Sequence, residues 1–135
     1  MKLKNTKNHF AALIFILSFG FTAFCQEIDL SKEKIASRIS KMWIVDHVNE
    51  KAKSFGLEGL VDQVYVFTKE NTFNQSYDNS KNVKGNWEFV PDKKYISLTM
   101  KGRVFAKIVS LSDIEMILIS SGYPEAKIYL KPNKD

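Results

Sequence analysis

From residue 63 onward the chain alternates apolar and polar positions in short runs separated by turn-forming breaks. The runs read QVYVFTK, TFNQSY, VKGNWEFV, KYISLTM, RVFAKIVS, IEMILIS and AKIYLK. The breaks between them are KENT, DNSKN, PDK, KG, LSD and SGYPE. Period-two alternation with hairpin-length breaks predicts an antiparallel meander, since crossover helices would need far longer connections. A meander has two unpaired edges, and closing it into a barrel removes both. MWIVDHV, from Met42 to Val48, supplies a further strand. The expected fold is therefore all-β: an eight-stranded up-and-down antiparallel β-barrel preceded by one short helix.

The faces follow from the alternation. Phe73, Gln75 and Tyr77 share one face of their strand, against Thr72, Asn74 and Ser76. Tyr65 and Phe67 share a face, as do Gly85, Trp87 and Phe89. Ile96, Leu98 and Met100 are expected inside. Lys107 turns its own face outward, which places Val104, Ala106 and Ile108 inside. IEMILIS is apolar on both faces; Met116 and Leu118 are assigned inward.

Two segments break the rhythm. Residues 31–41, SKEKIASRISK, read as a helix that Ser31 caps, with Glu33 near the positive end of the dipole. Leu30, Ile35 and Ile39 form its narrow apolar stripe, which suits a helix plugging one barrel end. Residues 49–62 form the longest connection and contain Phe55, Leu57, Leu60, Gly56 and Gly59. Such a segment either seals the other barrel mouth or acts as a lid over a cavity.

The N-terminus stands apart from all of this. Lys2, Lys4 and Lys7 precede an uncharged apolar run from Phe10 to Phe24, and a polar stretch begins at Gln26. This is the pattern of a secretory signal peptide over residues 1–25, leaving one domain at 26–135. Cleavage after Cys25 leaves Gln26 first; the alternative is lipidation of Cys25. A secreted or periplasmic location is expected, with an outer-membrane lipoprotein as the alternative and membrane contact only in that case.

Removing that segment changes the charge. It holds three of the 20 basic residues and none of the 15 acidic ones, so the remainder is nearly balanced. No basic stripe argues for nucleic acid. The only cysteine is Cys25, so the domain holds no disulfide and no cysteine chemistry. His47 is its single histidine, which removes Cys/His catalysis and ordinary zinc spacings. Strict alternation would send Asp46 and His47 to opposite faces, so no dyad is expected there. Asp62, Glu70, Asp78, Glu88, Asp92, Asp113 and Glu115 are scattered through turns and outer faces, without an inward pair for acid–base work.

The order of these pieces resembles the bacterial lipocalin-like domain family, over about residues 40–131. Trp43 follows a short helix and opens the first strand; YVFTKENTF is similar to the family's first hairpin. KGNWEF, SLTM and IVSLSDIEMIL follow in the family's order. The chain departs from the pattern at Lys41 and Asn71, where relatives carry glycine; Asn71 tolerates a left-handed turn. The resemblance implies an extracytoplasmic barrel, usually non-catalytic in the family, that is able to bind a small apolar ligand; no cofactor is expected. A monomer is expected. Tyr65, Phe73, Gln75, Tyr77 and Trp87 would wall such a site, with His47 as a polar group and Phe55 and Leu57 from the lid. The competing expectation is a solid-core structural or protein-interaction module of the cell envelope.

Overall fold

The computed structural model describes residues 28–77 and 81–134. The leader expected at residues 1–25 lies outside these residues, as does Asp78. Helix α1 (Lys32–Ile39) precedes strand β1 (Met42–Val48). A short helix α2 (Glu50–Ser54) and a 3₁₀ turn (Leu57–Leu60) follow within the long connection. Then come β2 (Val64–Phe67), β3 (Thr72–Tyr77), β4 (Lys81–Val90), β5 (Tyr95–Met100), β6 (Arg103–Leu111), β7 (Met116–Ser120) and β8 (Tyr123–Pro132). Every strand pairs antiparallel with its sequence neighbours, and β8 returns to β1 to close an eight-stranded up-and-down barrel.

The helix begins where the sequence places it. The Ser31 hydroxyl accepts from the Lys34 N–H at 3.3 Å, and Glu33 occupies the first turn. Ile35 and Ile39 are fully buried, so the stripe docks on the barrel end. The Trp43 indole N–H donates at 3.0 Å to the Ile39 carbonyl, which also accepts from the Lys41 N–H at 2.7 Å, so two donors secure the helix end. Arg38 pairs with Asp113 in the β6–β7 turn at 3.2 Å. The plugged end is thus the one carrying the β2–β3, β4–β5 and β6–β7 turns. At the opposite end, Asn49 accepts from the Ala52 and Lys127 N–H groups, capping α2 and tying it to β8.

Turn chemistry explains the hairpins. Asn71 sits at φ 66° and closes the β2–β3 turn, where its side-chain amide donates to the Trp87 carbonyl at 3.1 Å. Lys101 and Gly102 both have positive φ, which matches a two-residue hairpin of the primed type.

Four irregularities move residues away from strict alternation. Between Val45 and His47 the β1–β8 register skips a residue. Asp46 and His47 consequently both face out, flanked by buried Val45 and Val48. Phe105 is an extra residue between Val104 and Ala106 opposite Leu98 and Thr99. A bulge of this kind resets the phase of the strand, so Val104 pairs with Thr99 and is 46% exposed rather than inside. A second skip at Val109 makes Leu111, not Ser110, the next inward residue. Strand β8 carries three extra residues, 124–126, between its pairings with Ser120 and Ile119, so part of the SGYPE break belongs to the strand.

The interior is an aromatic stack. Phe73 packs against Tyr65, Phe67 and Phe105 with ring centroids 6.2, 5.6 and 5.8 Å away. Gly85 pairs with Phe73 across the sheet. A Cβ there would stand 2.4 Å from Phe73 Cζ and 2.5 Å from the Thr99 carbonyl oxygen. The ring occupies the space a side chain would need, and the backbone oxygen leaves little room to yield. Gly85→Ala is expected to cost about 1–3 kcal/mol through overpacking. A urea-unfolding midpoint equal to that of the parent protein would show that the barrel relaxes around the methyl group.

Candidate ligand site beneath the 3₁₀ turn

The aromatic stack does not fill the barrel at the end opposite α1. A cavity of about 130 Å³ remains there, bordered by Leu57, Leu60, Gln63, Tyr65, Gln75, Phe105, Ala106, Leu118, Ser120 and Ile128. Its position follows from local structure. Gly56 takes a left-handed conformation, φ 77°, which turns the chain after α2 and starts the 3₁₀ turn. That turn brings the half-buried Leu57 and Leu60 over the barrel mouth. The β6 bulge adds the Phe105 ring to the wall.

One polar chain lies in this apolar setting. Gln75 Nε2 donates to the Tyr65 hydroxyl at 3.1 Å, and that hydroxyl donates to Gln63 Oε1 at 3.2 Å. Tyr65 and Gln75 face each other across β2 and β3, which places both groups on the inner face. Burial pushes the Tyr65 phenol well above its ordinary pKa, because the charged form would lose its hydration. The hydroxyl therefore keeps its proton at any physiological pH and remains a donor.

The residues named from sequence separate into distinct places. Tyr65, Gln75, Leu57 and Leu60 come together at the cavity. Phe73 is buried one layer deeper as core. Trp87 lies at the other end of the barrel, where its indole N–H donates to the Thr68 carbonyl at 2.9 Å and its ring borders a groove beside α1. It is not a wall of this cavity. Phe55 does not cover the cavity either: it is 42% exposed and packs on Tyr123 with ring centroids 4.6 Å apart. The side chain of Tyr77 lies outside the described residues.

His47 corrects two expectations at once. It stands on the outer surface, stacked on Tyr129 at 4.4 Å with ring planes 6° apart. Its Nδ1 lies 2.8 Å from Asp46 Oδ2. Strict alternation forbids that contact between sequence neighbours, and the bulge permits it. Hydrogen bonding from His47, then from Lys131, holds the Asp46 carboxyl below its ordinary pKa. Both side chains are exposed, and the cluster does not border the cavity.

Gln63, Phe105, Ala106, Leu118, Ser120 and Ile128 complete the site without having been named for it. Ala106 was legible as an inward residue from alternation; the inward assignment of Leu118 falls in a strand apolar on both faces, where alternation does not decide. Phe105 was not legible, because its inward turn depends on a bulge that alternation cannot reveal. Gln63 sits just before β2 in a loop whose path only the fold defines. Among the described residues, no three of His, Cys, Asp and Glu converge as metal ligands.

No protein-family model matches the chain, and no curated protein matches it. Among solved structures, it is similar to the 1.00 Å crystal structure of a DUF4847 family protein from Bacteroides vulgatus. The likeness has a TM-score of 0.54 at 14% identity and covers 78% of this chain and 99% of that one. At that identity, what the two chains share is the fold.

Proposed function

We propose that this protein is an extracytoplasmic, non-catalytic β-barrel that binds one small apolar molecule under the 3₁₀ turn Leu57–Leu60. The observation that carries the reading is the cavity itself: an apolar recess at a barrel mouth with a few convergent polar groups. Its size sets the class of ligand. An apolar cavity of about 150 Å³ is known to accept benzene, so about 130 Å³ suits a molecule near that size. A fatty acid or retinoid is too large without opening the mouth. The basic, apolar and polar order of residues 1–26 supports export.

The test is a titration of the exported protein with benzene, followed by ligand-observed NMR, on the parent chain and on Ala106→Leu. Ala106 is 3% exposed and borders the cavity, so the larger side chain occupies the space. Binding to the parent and its loss in the variant is the expected result. No binding to either would remove the reading. The cavity's smallness favours one alternative, a solid interaction module, because ligand pockets usually measure about 300–1,000 Å³. Mass spectrometry of the exported chain is expected to find Gln26 at its start; a diacylated Cys25 would establish a lipid anchor instead.

A further inference from the structure

The polar chain at the cavity narrows the ligand beyond size. Resting on the binding reading above, we propose that the site selects a neutral single-ring molecule bearing a hydroxyl, of the phenol type. The argument begins with proton counting. A tyrosine hydroxyl donates one hydrogen bond, and here it accepts another. Gln75 gives one amide hydrogen to Tyr65, and Gln63 gives its carbonyl oxygen. What remains is the Gln75 carbonyl oxygen, the second Gln75 N–H and the Gln63 amide group, none with a hydrogen-bond partner among the described residues. Reversing the direction of the chain would exchange the two glutamines but leave the same kinds of group: a free carbonyl on one amide and free N–H donors on both. A hydroxyl both donates and accepts, so it answers both kinds at once. A plain hydrocarbon answers neither, and displacing water from them would leave them unpaired.

Charge is excluded by the same wall. Every side chain bordering the cavity is neutral. The nearest ionisable group, the Tyr65 phenol, is held protonated by burial. A carboxylate or ammonium entering this recess would give up hydration without meeting an opposite charge. The flat apolar surface comes from Phe105, Leu118 and Ile128, and the hydroxyl would sit towards Gln63 and Gln75. Gln75 is the ligand-contacting residue; Tyr65 is a positioning residue that fixes its amide plane.

The experiment compares phenol, benzene and benzoate on the full exported protein by calorimetric titration at neutral pH. Phenol is expected to bind about tenfold more tightly than benzene, the worth of one well-made buried hydrogen bond. Benzoate is expected not to bind measurably. In Gln75→Leu the ratio of phenol to benzene affinity should fall to about one, whatever the change in either affinity alone. Tyr65→Phe should shrink the preference, and Tyr65→Leu, which removes the ring as well, should weaken both ligands. Equal affinity of the parent protein for phenol and benzene would overturn this proposal and leave the apolar-ligand reading standing. Benzoate binding as well as phenol, or an unchanged preference in Gln75→Leu, would also overturn it. If neither benzene nor phenol binds, both readings fall together.

Discussion

Replacing Trp43 by alanine is expected to lower the stability of the barrel by about 3–5 kcal/mol, the usual cost of deleting a buried tryptophan. That is a large share of the roughly 5–15 kcal/mol that holds a domain folded. The side chain is completely buried where β1 leaves α1. Its loss opens a cavity and strips the Ile39 carbonyl of the indole donor, one of the two that secure the helix end. Because α1 closes that end of the barrel, the damage extends to the packing of Ile35 and Ile39. Trp43→Phe should recover part of the loss, since one aromatic ring is kept while the five-membered ring and its N–H are gone. Chemical denaturation followed by circular dichroism measures both. Equal midpoints for the parent and Trp43→Ala would mean that the end plug contributes nothing to folding.

Trp87→Ala is expected to be nearly as damaging, about 3–5 kcal/mol, but through a different set of contacts. Trp87 is 4% exposed. Its ring borders the groove beside α1, its indole N–H holds the Thr68 carbonyl, and its own backbone pairs with Asn71. It therefore staples the β2–β3 turn to β4. The difference from Trp43 can be measured: hydrogen exchange should accelerate first at residues 68–72 in the Trp87 variant and at residues 35–41 in the Trp43 variant. Identical exchange patterns would show that the two tryptophans belong to a single cooperative unit, without separable roles.

The benzene and phenol titrations bear on neither of these. Both tryptophans are remote from the cavity, so they report on the scaffold and leave the chemistry of the site to Gln63, Tyr65, Gln75 and Ala106.

How the chain divides between what was legible and what was not comes down to the range of each signal. Alternation and turn residues act locally, and they are strong in Phe73–Gln75, Gly85–Trp87 and Ile96–Leu98. Those residues therefore disclosed the eight strands, their order and most of their inner faces without any tertiary information. The Ser31 cap and the Ile35–Ile39 stripe disclosed α1 for the same reason, as the left-handed tolerance of Asn71 disclosed its turn. Bulges leave no comparable mark. An extra residue at Asp46, Phe105 or Val109 is set by the need to coil and close eight strands, a requirement of the whole barrel. Closure decided that His47 stands outside beside Asp46, that Val104 turns out and that Phe105 turns in. It also decided which inward residues meet. Trp87 and Gln75 share the same inner surface, but they lie at opposite ends of the barrel, and only strand tilt and register separate them. The cavity is the clearest case. Leu57, Gln75 and Ser120 come from three separate parts of the chain, and nothing short of the closed barrel brings them to one mouth.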